Sequence, residues 1–204
     1  MKFLEFFQDH RCYLCQQGEG DIPYLCPDCF ERMDFSPDYI QKNGQLIYSG
    51  FAYTGALRQM ITDYKFNHKT YLYKTLAHLF IYALGQDSHF KDLDGFLVIP
   101  SHPSLVEKRG FDPMDTVALE IERLFNLAYF RGHLKKIKNT PLQLGLSVKE
   151  REVNLENAFL GQEVEGKTLL LLDDILTTGA TLYQASLALE DAGAKKVYGM
   201  SLAN

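Results

Sequence analysis

The sequence predicts an α/β fold: a mostly parallel sheet with flanking helices, preceded by a small four-cysteine zinc-binding segment. Three observations carry this expectation. Leu169 to Leu172 is an unbroken apolar run, the pattern of a strand buried on both faces inside a parallel sheet. A second short apolar run, Phe96 to Ile99, has the same character. All four cysteines fall within the first thirty residues as two CxxC pairs.

A chain of 204 residues suits one domain, or one domain with a small appendage. Hydrophobic content of 46% supplies a core and argues against wholesale disorder. The formal net charge of -5 gives no global positive field, so any nucleic-acid binding must use a local patch. No apolar run is long enough to span a bilayer, and the amino terminus, MKFLEFFQDHRC, does not resemble a secretory leader. The expectation is a cytoplasmic protein with no membrane insertion.

Cys12-x-x-Cys15 and Cys26-x-x-Cys29 have the spacing of a tetrathiolate zinc site, in which two tight turns each offer two sulfurs to one ion. Two disulfides are the alternative, and a cytosolic setting argues against them. Residues 1–36 are assigned to this knuckle, and loss of its metal is expected to leave a distant ligand pocket largely able to bind. The segment through Gly44 reads as a connector, and residues 45–204 as the main domain. Tyr48, Phe51 and Tyr53 suit a strand. Leu57, Met60, Ile61 and Tyr64 make one helical face; Leu76, Leu79, Phe80, Ala83 and Leu84 make a second. Lys65, between the two helices, admits two readings: a solvated charge or a pyrophosphate contact.

The strand Phe96–Ile99 runs into Pro100, Ser101 and His102, with Arg109 close behind. This places donors at the carboxyl edge of a sheet, where open α/β sheets bind ligands. A helix follows from about Pro113 to Phe125, with Val117, Leu119, Ile121, Leu124 and Phe125 as its expected apolar face. Residues 129–138, YFRGHLKKIK, form the one dense basic stretch. Arg131, Lys135, Lys136 and Lys138 could track a single-stranded DNA backbone beside a stacking Tyr129 or Phe130. The alternative is a strand with a solvated basic edge. Ser147 to Glu150 is a capping box opening a short helix that carries Arg151 and Asn154.

The last region orders a strand, the acids Asp173 and Asp174, the turn Thr177-Thr178-Gly179, and a helix with Leu182, Ala185, Ser186, Leu189 and Ala192 at helical spacing. Such a turn brings unpaired N–H groups and hydroxyls to the positive end of a helix, which suits a phosphate. Gly179 permits close backbone approach. Two carboxylates just upstream would repel a bare phosphate. They suit a ligand with hydroxyls or Mg²⁺ beside its phosphate, such as a ribose 5-phosphate. A final strand, Val197 to Leu202, closes the chain.

The stretch from Leu169 to Thr181 resembles the phosphoribosyl pyrophosphate (PRPP) motif of the type I phosphoribosyltransferases. Gly55-Ala56-Leu57-Arg58 with Lys65-Phe66, Ile99-Pro100-Ser101-His102 and Arg109-Gly110-Phe111-Asp112 narrow the likeness. So do Thr140-Pro141-Leu142-Gln143, Leu146, Arg151, Asn154 and Ala158-Phe159. Taken in order over the whole chain, these motifs resemble the ComF family, also called the competence protein ComFC group. The resemblance implies a type I phosphoribosyltransferase fold. It also implies a PRPP site made by Asp173, Asp174, Thr177, Thr178, Gly179, Ala180 and Thr181, with Lys65, His102 and Arg109 as further contacts. Mg²⁺ would accompany PRPP, and zinc would be structural. In a transferase, Asp173 and Asp174 are the residues expected to serve catalysis, and no side chain stands out as a nucleophile.

Two positions depart from the family pattern. Asp112 stands where asparagine is usual, adding negative charge near the expected pyrophosphate site. Lys138 stands for an arginine, keeping the charge but losing the bidentate fork. Two functions therefore stay open. One is a competence protein that binds PRPP, handles single-stranded DNA and works with other DNA-uptake proteins such as a helicase. The other is an active phosphoribosyltransferase acting on an unidentified base or amine.

Overall fold

In the computed structural model, residues 11–139 and 155–204 are described. The expected capping box and the motif residues Thr140, Pro141, Leu142, Gln143, Leu146, Arg151 and Asn154 lie outside them.

A five-stranded sheet organises the molecule. Its strands are β1 (Phe35–Lys42), β2 (Gln45–Phe51), β3 (Gly95–Val98), β6 (Thr168–Ile175) and β7 (Lys196–Ala203), in the order β1-β2-β7-β6-β3. The pairs β2/β7, β7/β6 and β6/β3 are parallel; β1 adds to β2 antiparallel at one edge. The sheet is thus mostly parallel, as the leucine run predicts. Residues 35–42 are not a connector. They form β1, paired from Tyr39 through Lys42 with Tyr48 through Gln45 across a tight Asn43-Gly44 turn. Asn-Gly between two strands favours a tight hairpin turn.

Alternation along the buried strands divides the core in two. Leu170 and Leu172 join Phe96 and Val98 on one face; Leu169 and Leu171 join Leu97 and Ile99 on the other. All four leucines are at most 3% exposed, and burying each contributes about 1.5–3 kcal/mol. The first face is covered by α2 (Gly55–Phe66), α3 (Tyr73–Gly85) and α5 (Pro113–Phe125). The buried residues of α2 are Leu57, Met60, Ile61 and Tyr64, the face its periodicity predicts. In α5 the face is turned: Met114, Val117, Ala118, Glu120 and Ile121 are buried, whereas Leu119, Leu124 and Phe125 are exposed. Glu120 is tolerated there because Arg123 binds it through two N–H groups at 2.9 and 2.7 Å.

The second face is covered by α6 (Ala180–Asp191) and by a two-stranded antiparallel sheet of β4 (Leu134–Lys136) and β5 (Phe159–Gly161). Gly161 is needed here, since a Cβ would sit 2.4 Å from the Ala188 carbonyl oxygen. Residues 128–130 guard the outer edge of β3, through Phe96 N–H to Ala128 O and Phe130 N–H to Phe96 O, both 2.9 Å.

The cysteine segment, with its short helix α1 (Pro27–Glu31), packs onto α2 and α3. Thr75 Oγ1 donates to the Pro23 carbonyl at 2.5 Å, Tyr13 to the Asp63 carboxylate, and Phe30 meets Tyr82 edge-on at 4.9 Å.

Candidate functional site

The four sulfurs of Cys12, Cys15, Cys26 and Cys29 lie within 4.8 Å of one another, and all four cysteines are free thiols. Cys15 and Cys26 sulfurs are 3.7 Å apart. A tetrahedron with metal–sulfur bonds of about 2.3 Å has edges of about 3.8 Å, so the donor set fits one metal ion. Burial would push the Cys12 thiol up, but N–H groups of Cys15, Cys26 and Leu14 aim at its sulfur and bring it down to about 6. At Cys12 the turn favours a thiolate, whereas burial pushes the Cys29 thiol up to about 12.

The second centre lies at the carboxyl ends of β3 and β6, which are neighbours in the sheet. A cavity of about 590 Å³ opens there between α2, the loop after β3, and the turn before α6. Lys65, His102, Arg109, Asp173, Asp174, Thr177 and Thr181 all line it. Residues far apart in sequence thus converge on one space. Thr178, Gly179 and Ala180 form the turn behind that lining. Gly179 has φ +72°, and Thr178 Oγ1 accepts from Ala180 N–H at 3.4 Å. Beyond this turn the first amides of α6 have no acceptor within the helix.

The glycine's role differs from the one its position suggests. A Cβ on Gly179 would meet the Cδ1 atoms of Ile40 and Ile47 at 3.0 Å. It would point into the β1–β2 hairpin, so glycine serves the left-handed turn and its packing.

Asp173 and Asp174 end β6 and share Lys65 as a cationic neighbour, with Lys136 also near Asp173. Asp174 pairs with Lys65 of α2. The carboxyl of Asp173 is pushed up to about 7, first by burial and next by the charge of Asp174; Lys65, the Asp174 N–H and Lys136 offset part of this. Asp173 is thus the carboxyl that burial brings toward the neutral range, with Lys65 and Lys136 as its neighbouring cations.

Lys136 is a cavity residue that sequence reasoning placed elsewhere. Successive side chains of a strand face opposite ways, so Lys135 and Lys136 of β4 diverge. Lys136 lines the cavity, 5.8 Å from the Phe159 ring centroid, whereas Lys135 reaches out to Gln162 Oε1 at 3.2 Å. Arg131 is held by Asp115 through two N–H groups at 2.8 and 2.6 Å, and Lys138 donates to the Glu156 carbonyl at 2.6 Å. The basic stretch is thus divided among four environments.

Asp112, the first departure from the family pattern, caps α5 by accepting from Met114 N–H at 3.2 Å. It also accepts from the Ser101 N–H at 2.8 Å and the Ser101 hydroxyl at 3.2 Å. Its charge is matched by a helix start and serves to hold the loop after β3. His102 caps α4 (Pro103–Arg109) and shares a 2.8 Å hydrogen bond with Ser104 Oγ. Tyr53, Thr62 and Ser101 complete the polar lining; Ser101 belongs to the segment expected at the sheet edge, whereas Tyr53 and Thr62 carry no motif that points to the cavity.

Fold and cavity together define an α/β protein with a ligand cavity at the carboxyl edge of a mostly parallel sheet and a four-thiol centre in the segment packed on α2 and α3. No protein-family model matches the chain. It is 26% identical to the competence protein F of Haemophilus influenzae over 98% of this chain and 93% of that protein. It is 31% identical to the competence protein ComFC of Streptococcus pneumoniae, over 74% of this chain and 65% of that one. The DNA utilization protein YhgH of Escherichia coli K12 is 24% identical over 91% of this chain and 86% of its own length. These homologues make the chain a ComF family protein. Among solved structures, UMP synthase of Leishmania donovani superposes over 83% of this chain and 27% of its own, with a TM-score of 0.38 and 17% identity. Among the described residues, no helix is long and apolar enough to cross a membrane.

Proposed function

We propose that this protein binds PRPP with its Mg²⁺ in the cavity between α2, β3 and β6, and acts in natural competence by handling incoming single-stranded DNA in the cytoplasm. The observation that supports the reading most is the meeting of Asp173, Asp174, Lys65 and the Thr177–Thr181 turn on one cavity. The names of the relatives, competence proteins and DNA utilization proteins, support the cellular setting. On this reading residues 1–36 are a zinc knuckle and residues 45–204 the PRPP-binding domain. Cys12, Cys15, Cys26 and Cys29 hold zinc, which fixes a segment too small to fold on a core of its own.

The ligand's 5-phosphate lies against Thr177, Thr178, Gly179, Ala180 and Thr181, where the start of α6 supplies amides and a positive dipole end. Asp173 and Asp174 accept from the ribose hydroxyls. Lys65, His102 and Arg109, with Lys136, face the pyrophosphate. On binding, Lys65 exchanges part of its contact with Asp174 for the ligand's charge. If pyrophosphate leaves, positive charge grows at the anomeric carbon, and the nearby carboxylates stabilise it electrostatically.

The second reading, a phosphoribosyltransferase, is favoured by Asp173, whose carboxyl burial pushes up to about 7, which suits a site poised near neutral pH. Incubation with PRPP, Mg²⁺ and candidate bases or amines separates the two. Pyrophosphate release with any acceptor establishes a transferase; tight PRPP binding without release supports an accessory protein.

A further inference from the structure

We propose that Phe66, backed by Arg109, is a stacking platform for a nucleobase at the mouth of the cavity, with the ligand's sugar phosphate inside and its base outside. The proposal rests on the sugar-phosphate reading of the cavity. Phe66 closes α2 and is 57% exposed, more than any other large apolar side chain among the described residues. It lines the same cavity as Lys65, the residue before it, whose ammonium pairs with Asp174. The platform is therefore one residue from the cation that meets the acidic pair. The Arg109 guanidinium lies 5.3 Å from the ring centroid, which fixes the orientation of the ring and occupies one side of it. The exposed remainder is a flat π surface beside a positive charge. Such a surface accepts any base, because every base has a π face.

Neither Phe66 nor Arg109 is needed to explain the fold. Phe66 contributes little to the core, and its ring meets water beside hydroxyl, carboxylate and ammonium groups. A purely apolar partner would have to bury those groups, whereas a nucleotide presents a base to the ring and a sugar phosphate to the polar floor. The base could belong to a free ribonucleotide or to the 5′-phosphorylated end of a DNA strand.

Calorimetry with ribose 5-phosphate, AMP and a 5′-phosphorylated oligodeoxyadenylate, on the parent, Phe66→Ala and Phe66→Trp, tests this. The readout is the ratio of AMP affinity to ribose 5-phosphate affinity. Stacking should make that ratio roughly tenfold or more in the parent, bring it close to one in Phe66→Ala, and preserve it in Phe66→Trp. Phe66 dependence in the oligonucleotide as well assigns the strand end; dependence in AMP alone assigns the free nucleotide. If the parent binds ribose 5-phosphate but gains nothing from the base, or Phe66→Ala keeps the ratio, the platform is wrong while the sugar-phosphate site stands. If the parent binds none of the three, the sugar-phosphate reading fails and the platform with it.

Discussion

The Tyr13 hydroxyl donates to the carboxylate of Asp63, two residues before the lysine that pairs with Asp174. Asp63 also accepts from Asn67 Nδ2 at 2.6 Å, so the cysteine segment is fastened to the last turn of α2. Burial, and then Asp63, push Tyr13 up to about 12, which keeps it a donor at any physiological pH. The thiol centre and the cavity are linked through one helical turn.

Tyr13→Phe should therefore lower PRPP affinity a few-fold and destabilise the fold by about 1 kcal/mol. Cys26→Ser, or removal of metal by a chelator, should lower both further. Melting curves and calorimetry on metal-free protein check this. Unchanged PRPP binding without metal would restore the expectation of two independent units.

Asp173 makes stability pH-dependent. Its folded-state value of about 7 lies above the ordinary carboxylate range, so its ionised form is disfavoured on folding. Its contribution is fully present below about pH 4 and is lost as pH rises through about 7. Asp173→Asn should accordingly change little at pH 4 and stabilise the ligand-free protein at pH 8. Denaturant titrations of both proteins at the two pH values give the comparison, and a gain larger at pH 4 would contradict it.

Gly179 tests packing rather than phosphate binding. Gly179→Ala should cost about 1–2 kcal/mol for the left-handed turn alone, plus the contact with Ile40 and Ile47. Adding Ile40→Ala should relieve one of the two contacts and leave the Ile47 contact and the backbone strain, so the double variant recovers only part of the loss against Ile40→Ala alone. Full recovery in chemical denaturation would mean the turn carries no strain.

Lys135 and Lys136 should separate in function. Lys136→Gln is expected to weaken PRPP several-fold, and Lys135→Gln to leave PRPP affinity alone. If single-stranded DNA uses the outer face of β4, only Lys135→Gln should lower its affinity and flatten its salt dependence. Equal effects of the two variants on both ligands would refute the division.

The fold was legible where the pattern was strong. Four leucines in a row admit few placements but a central parallel strand, and the α2 stripe identified its buried face residue by residue. The acids, the threonine turn and the paired cysteines could be found because their types and spacings are chemically unusual. Phase was harder to read. Leu119, Leu124 and Phe125 fit a helical stripe as well as Met114 and Ala118 do, and only packing against α3 and β3 decides between them. The lysines of β4 could not be sorted until the strand's direction fixed which one faces inward. Tyr53 and Thr62 reach the cavity through tertiary placement alone. Asp112 looked like an intrusion of charge because its partners, Ser101 and the start of α5, are brought to it by folding.

The central claim is that the cavity at the ends of β3 and β6 takes PRPP. Calorimetric titration of PRPP with Mg²⁺ into the parent and into Asp173→Asn/Asp174→Asn tests it most directly, with inorganic phosphate as the control ligand. One PRPP per parent chain is expected, with affinity at least roughly tenfold weaker in the double variant, since hydrogen bonds to charged groups are lost. Phosphate should bind the double variant as well as the parent or better, because the repelling charge is gone. A parent that does not bind PRPP, or a double variant that binds it as tightly, would contradict the account.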